Sequence, residues 1–75
     1  MANEELLQLW DKIRTELVAA NKLAGDRTAE NYLGHNEFEL AYRELEGSND
    51  SHEFEQHLRN AAKLMGFPPE YYGSD

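Results

Sequence analysis

The chain has no cysteine, which excludes a disulfide framework and any thiolate-held metal. It has a single valine, a single isoleucine and no alternating β-branched run, so nothing in it asks for a sheet. Its two prolines stand together as Pro68-Pro69 and leave everything before them uninterrupted. No apolar run approaches the roughly 18 residues that a membrane span needs. The opening Met-Ala-Asn-Glu-Glu lacks the basic start and apolar stretch of a secretory signal, and the expected location is the cytoplasm. No repeat, low-complexity tract or internal linker is visible. The 75 residues therefore read as one domain, 1–75, with residues 67–75 as a tail that sequence alone leaves open between frayed and held down by Tyr71 and Tyr72. A core of this size yields a net stability of about 3–5 kcal/mol.

What is present is helical periodicity. Asn3 is placed to cap a first helix over Glu4–Leu23, with Glu4 and Glu5 at its positive end. Leu6, Leu9, Trp10, Ile13, Leu17 and Ala20 recur on one stripe, which places Trp10 in the core, with Leu7 and Val18 beside the stripe. A short helix around Ala29–Leu33 follows, with Thr28 as its cap and Gly34 as its left-handed stop. Asn36, with an acid three residues on, has the arrangement of a capping box and opens a third helix, Asn36–Glu46, whose buried face is Phe38, Ala41, Tyr42 and Leu45. Gly47-Ser48-Asn49-Asp50 is a break. Ser51 then caps a fourth helix, His52–Met65, with Phe54, Leu58, Ala61, Ala62 and Met65 on its apolar face. The expected fold class is all-α, a small bundle of three main helices plus one short helix.

Candidate catalytic chemistry is sparse. Ser48, Ser51, Ser74, Thr15 and Thr28 are the available hydroxyls, two of them needed as caps, and no nucleophile elbow or phosphate-cradling glycine loop surrounds any of them. Glu53 and His57 share a helix face, and His35 and His52 complete the histidines, but no spacing among them suits a zinc ligand set. The expectation is a protein without cofactor or enzymatic activity. Lys12, Arg14 and Lys22 are interspersed with Asp11 and Glu16, and Arg59 pairs with Lys63. Neither set makes the basic stripe that nucleic acid requires.

The charge is of one sign and concentrated. Of a net −8, the segment from Glu30 to Glu55 carries −7, with Arg43 its one base against eight acids. Such a field repels nucleic acid and anionic membrane and attracts basic protein surfaces. Within it lies Leu40, almost opposite Phe38 at about 100° per residue. Two readings stand. Leu40 is the apolar centre of a protein-binding patch rimmed by Glu37, Glu39, Glu44, Glu46 and Asp50, or it is buried because the third helix lies between the others.

The run His35-Asn36-Glu37-Phe38-Glu39-Leu40-Ala41-Tyr42-Arg43-Glu44-Leu45, followed by the Phe54-led helix ending in Ala61-Ala62-Lys63-Leu64-Met65-Gly66, resembles small helical bacterial proteins that include MafI-type immunity proteins of polymorphic toxin systems. The resemblance covers about Glu30 to Phe67. A Trp often follows the Phe in those sequences, where this chain has Glu55. The resemblance implies a protein that neutralises a toxin by occluding it, and a basic toxin suits the acidic segment. Two rivals stand beside it. One is a small homodimeric structural or regulatory protein, paired through Leu40, Leu7 and Val18; the other is a regulator of a larger enzyme or a ribosome-associated partner.

Overall fold

The structure, a computed structural model, describes residues 2–71, with side chains from Glu4 to Glu70. It is all-α, and no strand occurs among the described residues. Four helices, α1 (Ala2–Ala24), α2 (Arg27–Gly34), α3 (Phe38–Leu45) and α4 (His52–Leu64), precede one 3₁₀ turn, Pro69–Tyr71. α2 and α3 have eight residues each, so the short second helix and the supposedly main third one are equals. At 1.5 Å per residue, α1 is about 34 Å long and α4 about 20 Å.

Each helix stops for a local reason. α1 ends at Gly25, in the left-handed region at φ +67°, and the Asn21 side chain clips the turn. Its Nδ2 donates to the Asp26 carbonyl at 3.0 Å, and its Oδ1 accepts from the Asp26 amide at 2.9 Å. The Asp26 carboxylate then accepts from the Ala29 amide at 3.0 Å, so Asp26, and not Thr28, caps α2. The stop of α2 also differs from expectation. Gly34 stays helical, and Asn36 takes the left-handed conformation at φ +59°, which Asn tolerates better than other residues with a side chain. The Asn36 amide donates to the Leu33 carbonyl and the Glu37 amide to the Tyr32 carbonyl, the paired bonds of a Schellman turn. Asn36 is thereby unable to cap α3, whose N-cap position falls to Glu37 with no side-chain hydrogen bond. Ser51 does cap α4, accepting from the Phe54 amide at 3.2 Å. At the other end of the chain, α1 begins at Ala2, so Asn3 is a first-turn residue and not the cap.

α4 runs antiparallel to α1. Asn49, just before α4, donates to the Leu23 carbonyl at the end of α1; Glu16 meets His57 and Asn60; and Leu64 and Met65 flank the same groove as Leu9 and Trp10. α4 therefore ends level with Leu9, while the α2–α3 junction comes near Arg14, whose guanidinium lies 5.6 Å from the centre of the Phe38 ring. Three helices cover the later part of α1 and none reaches its first two turns. The core follows from this: Ile13, Leu17 and Ala20 of α1 close against Leu33, Phe38, Tyr42, Leu45, Phe54 and Leu58. Ala29, Ala41, Ala61 and Ala62 are fully buried where the helices approach one another. Phe67 closes the end of α4, edge-on to Tyr42 at 5.2 Å, so the chain past Met65 is held at least by that ring. Tyr72 lies outside the described residues.

The first half of the long stripe is not core. Leu6 is 45% exposed and Trp10 40% exposed, against the expectation that Trp10 is buried. The stripe is continuous in sequence, but its partners are too short to cover it. Phe54, 1% exposed, holds the place that Trp10 was expected to hold. Phe54→Ala is expected to cost about 3–5 kcal/mol through the cavity it leaves, comparable to the whole stability of the domain. Trp10→Ala is expected to keep its helical circular dichroism and a cooperative melt. An unfolded Trp10→Ala chain, or a Phe54→Ala chain as stable as the parent, would overturn this assignment of the core.

Candidate functional site

The outer face of α3 is built by two facts of register. Phe38, Ala41, Tyr42 and Leu45 turn inward and are buried, which leaves Leu40 pointing away from the core. Leu40 is 44% exposed. Of the two readings of Leu40, the structure takes the exposed one, because α3 buries a single face and no described helix lies over Leu40. Glu37 and Glu44, within about 60° of Leu40 around the helix, are exposed beside it.

The remaining expected rim residues divide. Glu39 turns to the opposite flank, where both Nε and Nη2 of Arg43 donate to its Oε2 at 3.2 and 3.1 Å. Its charge is thus balanced locally, and it lines the groove beside Trp10 instead of joining Glu37 and Glu44. Glu46 and Asp50 are exposed in the loop between α3 and α4. That loop is tied down by the Ser48 hydroxyl, which donates to the Leu45 carbonyl, and by Asn49, which bonds both the Leu23 carbonyl and the Ser51 amide.

One member of the acidic face was missed in the sequence. Asp26, at the α1–α2 turn, meets Glu44 of α3. A hydrogen bond from Glu44 to the Asp26 carboxylate, reinforced by repulsion between the two charges, holds the Glu44 carboxyl above its ordinary value of 4.5. The sequence signal for it is an Asp two residues before Thr28, as good a cap residue as Thr28 itself.

Two grooves lie among the described residues. One, of about 560 Å³ between α1 and α2, carries Arg14, Lys22 and Arg27 but also Asp26 and Glu30, so its charges nearly cancel. The other, of about 280 Å³, lies where α1 outruns α4 and is walled by Leu9, Trp10, Ile13, Phe38, Met65 and Phe67. Apart from Glu39, its lining is apolar. The sequence holds the signal for it, because a 23-residue stripe exceeds what a 13-residue partner covers.

No protein-family model matches this chain, and searches of curated proteins and of solved structures return no similar protein. No helix among the described residues is long and apolar enough to cross a membrane, and no group of three or more metal-ligating side chains occurs among them.

His57, which shares a helix face with Glu53, meets Glu16 of α1. Its Nδ1 is 3.0 Å from Glu16 Oε1, and Asn60 Nδ2 donates to the same oxygen at 3.0 Å. Burial pushes the Glu16 carboxyl up, but the bonds from His57 and Asn60 and the charge of His57 outweigh it and hold the value below 4.5. Below about pH 4.5 the unfolded chain binds the Glu16 proton more readily than the folded one, so this contribution is intact at neutral pH. It is lost as pH falls through the depressed folded value. Glu16→Gln is expected to lower stability by about 1 kcal/mol at pH 7, the scale of such partly solvated bonds. It should also flatten the acid limb of the stability curve. Urea melts between pH 3 and pH 7 check this, and an acid limb identical in both proteins would refute it.

Proposed function

We propose that this chain is a non-catalytic protein-binding module that docks a basic protein through the outer face of α3, with Leu40 as anchor and Glu37, Glu44 and Asp26 around it. The observation that carries the reading is the exposure of Leu40 inside the segment that holds −7 of the net −8. An apolar centre that excludes water, surrounded by charges of one sign, is the general anatomy of a charged docking patch. Glu46 and Asp50 extend the negative field along the loop and serve long-range attraction. In its specific form, supported by the resemblance to MafI-type proteins, the partner is a basic bacterial toxin that this chain occludes in the cytoplasm. The same field disfavours nucleic acid and anionic membrane as partners.

The second reading, a small homodimeric structural or regulatory protein, is supported by the apolar end of α1 rather than by Leu40, Leu7 and Val18 together.

The test uses a basic partner recovered with the tagged chain. Glu37, Glu44 and Glu46 are changed together to Lys, and Leu40 separately to Asp. Exposed charges add little to stability, so the triple variant is expected to fold and to associate at least about tenfold more slowly at low salt, with the gap narrowing as salt shortens the screening length. Leu40→Asp is expected to leave the melting temperature nearly unchanged and to raise the dissociation rate. Stopped-flow association at two salt concentrations reads both. Equal association rates for the triple variant and the parent would reduce the acidity to a solubility device.

A further inference from the structure

The first half of α1, which no other described helix covers, leaves Leu6, Leu9 and Trp10 exposed. Leu6, Leu9 and Trp10 continue the line of Ile13 and Leu17, and Leu9 and Trp10 line the groove closed on its far side by Met65 and Phe67. The charges that flank this face decide what covers it. At about 100° per residue, Glu5 and Lys12 lie together on one flank of the stripe, two turns apart, while Arg14 lies on the other. Neither Glu5 nor Lys12 has an ion-pair partner within the chain among the described residues.

We infer that the first half of α1 is the interface of a two-fold dimer in which two copies pair antiparallel, crossing near Gln8–Leu9. An antiparallel helix pair sets same-flank positions of the two copies side by side. With the crossing at that point, Glu5 of each copy stands level with Lys12 of the other, and two identical ion pairs close the interface. Leu6 of each copy then meets the Leu9–Trp10 groove of the other, and Leu9 meets its own counterpart, so one surface is complementary to itself as two-fold symmetry demands. A parallel pairing does the reverse: it brings Lys12 alongside Arg14 of the other copy and leaves Glu5 beside an apolar flank. Glu39, the one acid at the groove, does not oppose the approach, because Arg43 balances it at 3.1 Å. The acidic face of α3 is a separate surface, so the dimer presents two copies of it, and this inference stands or falls independently of any basic partner.

The experiment uses the intact chain alone. Sedimentation velocity from about 10 µM to about 1 mM spans the range in which small interfaces associate. The expected result is a shift from the 8.7 kDa monomer to the dimer, with Trp10 becoming less accessible to a soluble quencher over the same range. Leu9→Glu is expected to weaken the dimer more than about tenfold while keeping its helical spectrum. Because Leu9 also touches the chain's own groove, a charge swap supplies the control that leaves the core alone. Glu5→Lys and Lys12→Glu each weaken the dimer, and the double variant restores it. A chain that stays monomeric throughout overturns the inference. So does a dimer indifferent to Leu9→Glu, or a Trp10 shielded equally at all concentrations, which would assign the groove to a segment of the same chain. Failure of the double variant to regain association overturns the antiparallel pairing.

Discussion

Everything in this fold leans on the Ile13–Leu17–Ala20 stretch of α1. α2 and α3 have eight residues each, too few to hold helical structure in water by themselves, and both gain their stability from being laid against that stretch. α4 lies against it from the other direction, with Phe54 and Leu58 filling the space between. The alanines at the crossings let three helices share one strip of α1 without pushing one another off it. The Glu16 bridge to His57 and Asn60 sits at the edge of this strip and fixes how far α4 has slid along α1. That position in turn decides where α4 runs out and where the apolar end of α1 begins.

The helices themselves were legible from periodicity, caps and stops. Ser51, Gly25, Gly47 and Gly66 each act where local chemistry places them, and the buried faces of α3 and α4 match their apolar spacing. The failures share a cause. Thr28 lost the cap to Asp26 because Asn21 clips the turn one residue before α2 begins, a contact that no spacing rule contains. Asn36 became the stop of α2 and so ceased to be the cap of α3, because one residue cannot adopt both the left-handed and the extended backbone. Trp10 was assigned to the core because a stripe records which side of a helix is apolar, but not how far along the helix its partners extend.

The site shows the same division. Leu40 was identifiable as the residue on the wrong side of α3, but whether that side faced a neighbour or water depended on the packing of the whole domain. The expected acidic rim was a one-dimensional neighbourhood. In three dimensions Glu39 leaves it for Arg43, and Asp26 enters it from a different turn. The resulting patch is smaller than the sequence suggested and concentrated on the side of α3 that faces the α1–α2 turn, where Asp26 holds the Glu44 carboxyl above its ordinary value.

The antiparallel match of α1 with α4 also has a consequence in time. A ribosome makes α1 before α4, so Leu17 is synthesised before Phe54 exists to cover it. At about 5–20 residues per second, the intervening stretch takes a few seconds to synthesise, far longer than a helix needs to form or collapse. Until α4 has also left the ribosome, the apolar stripe of α1 has only α2 and α3 to shelter one side of it. The nascent chain is thus at its most adhesive before α4 arrives, and the closing of the domain awaits the emergence of the segment around Phe54.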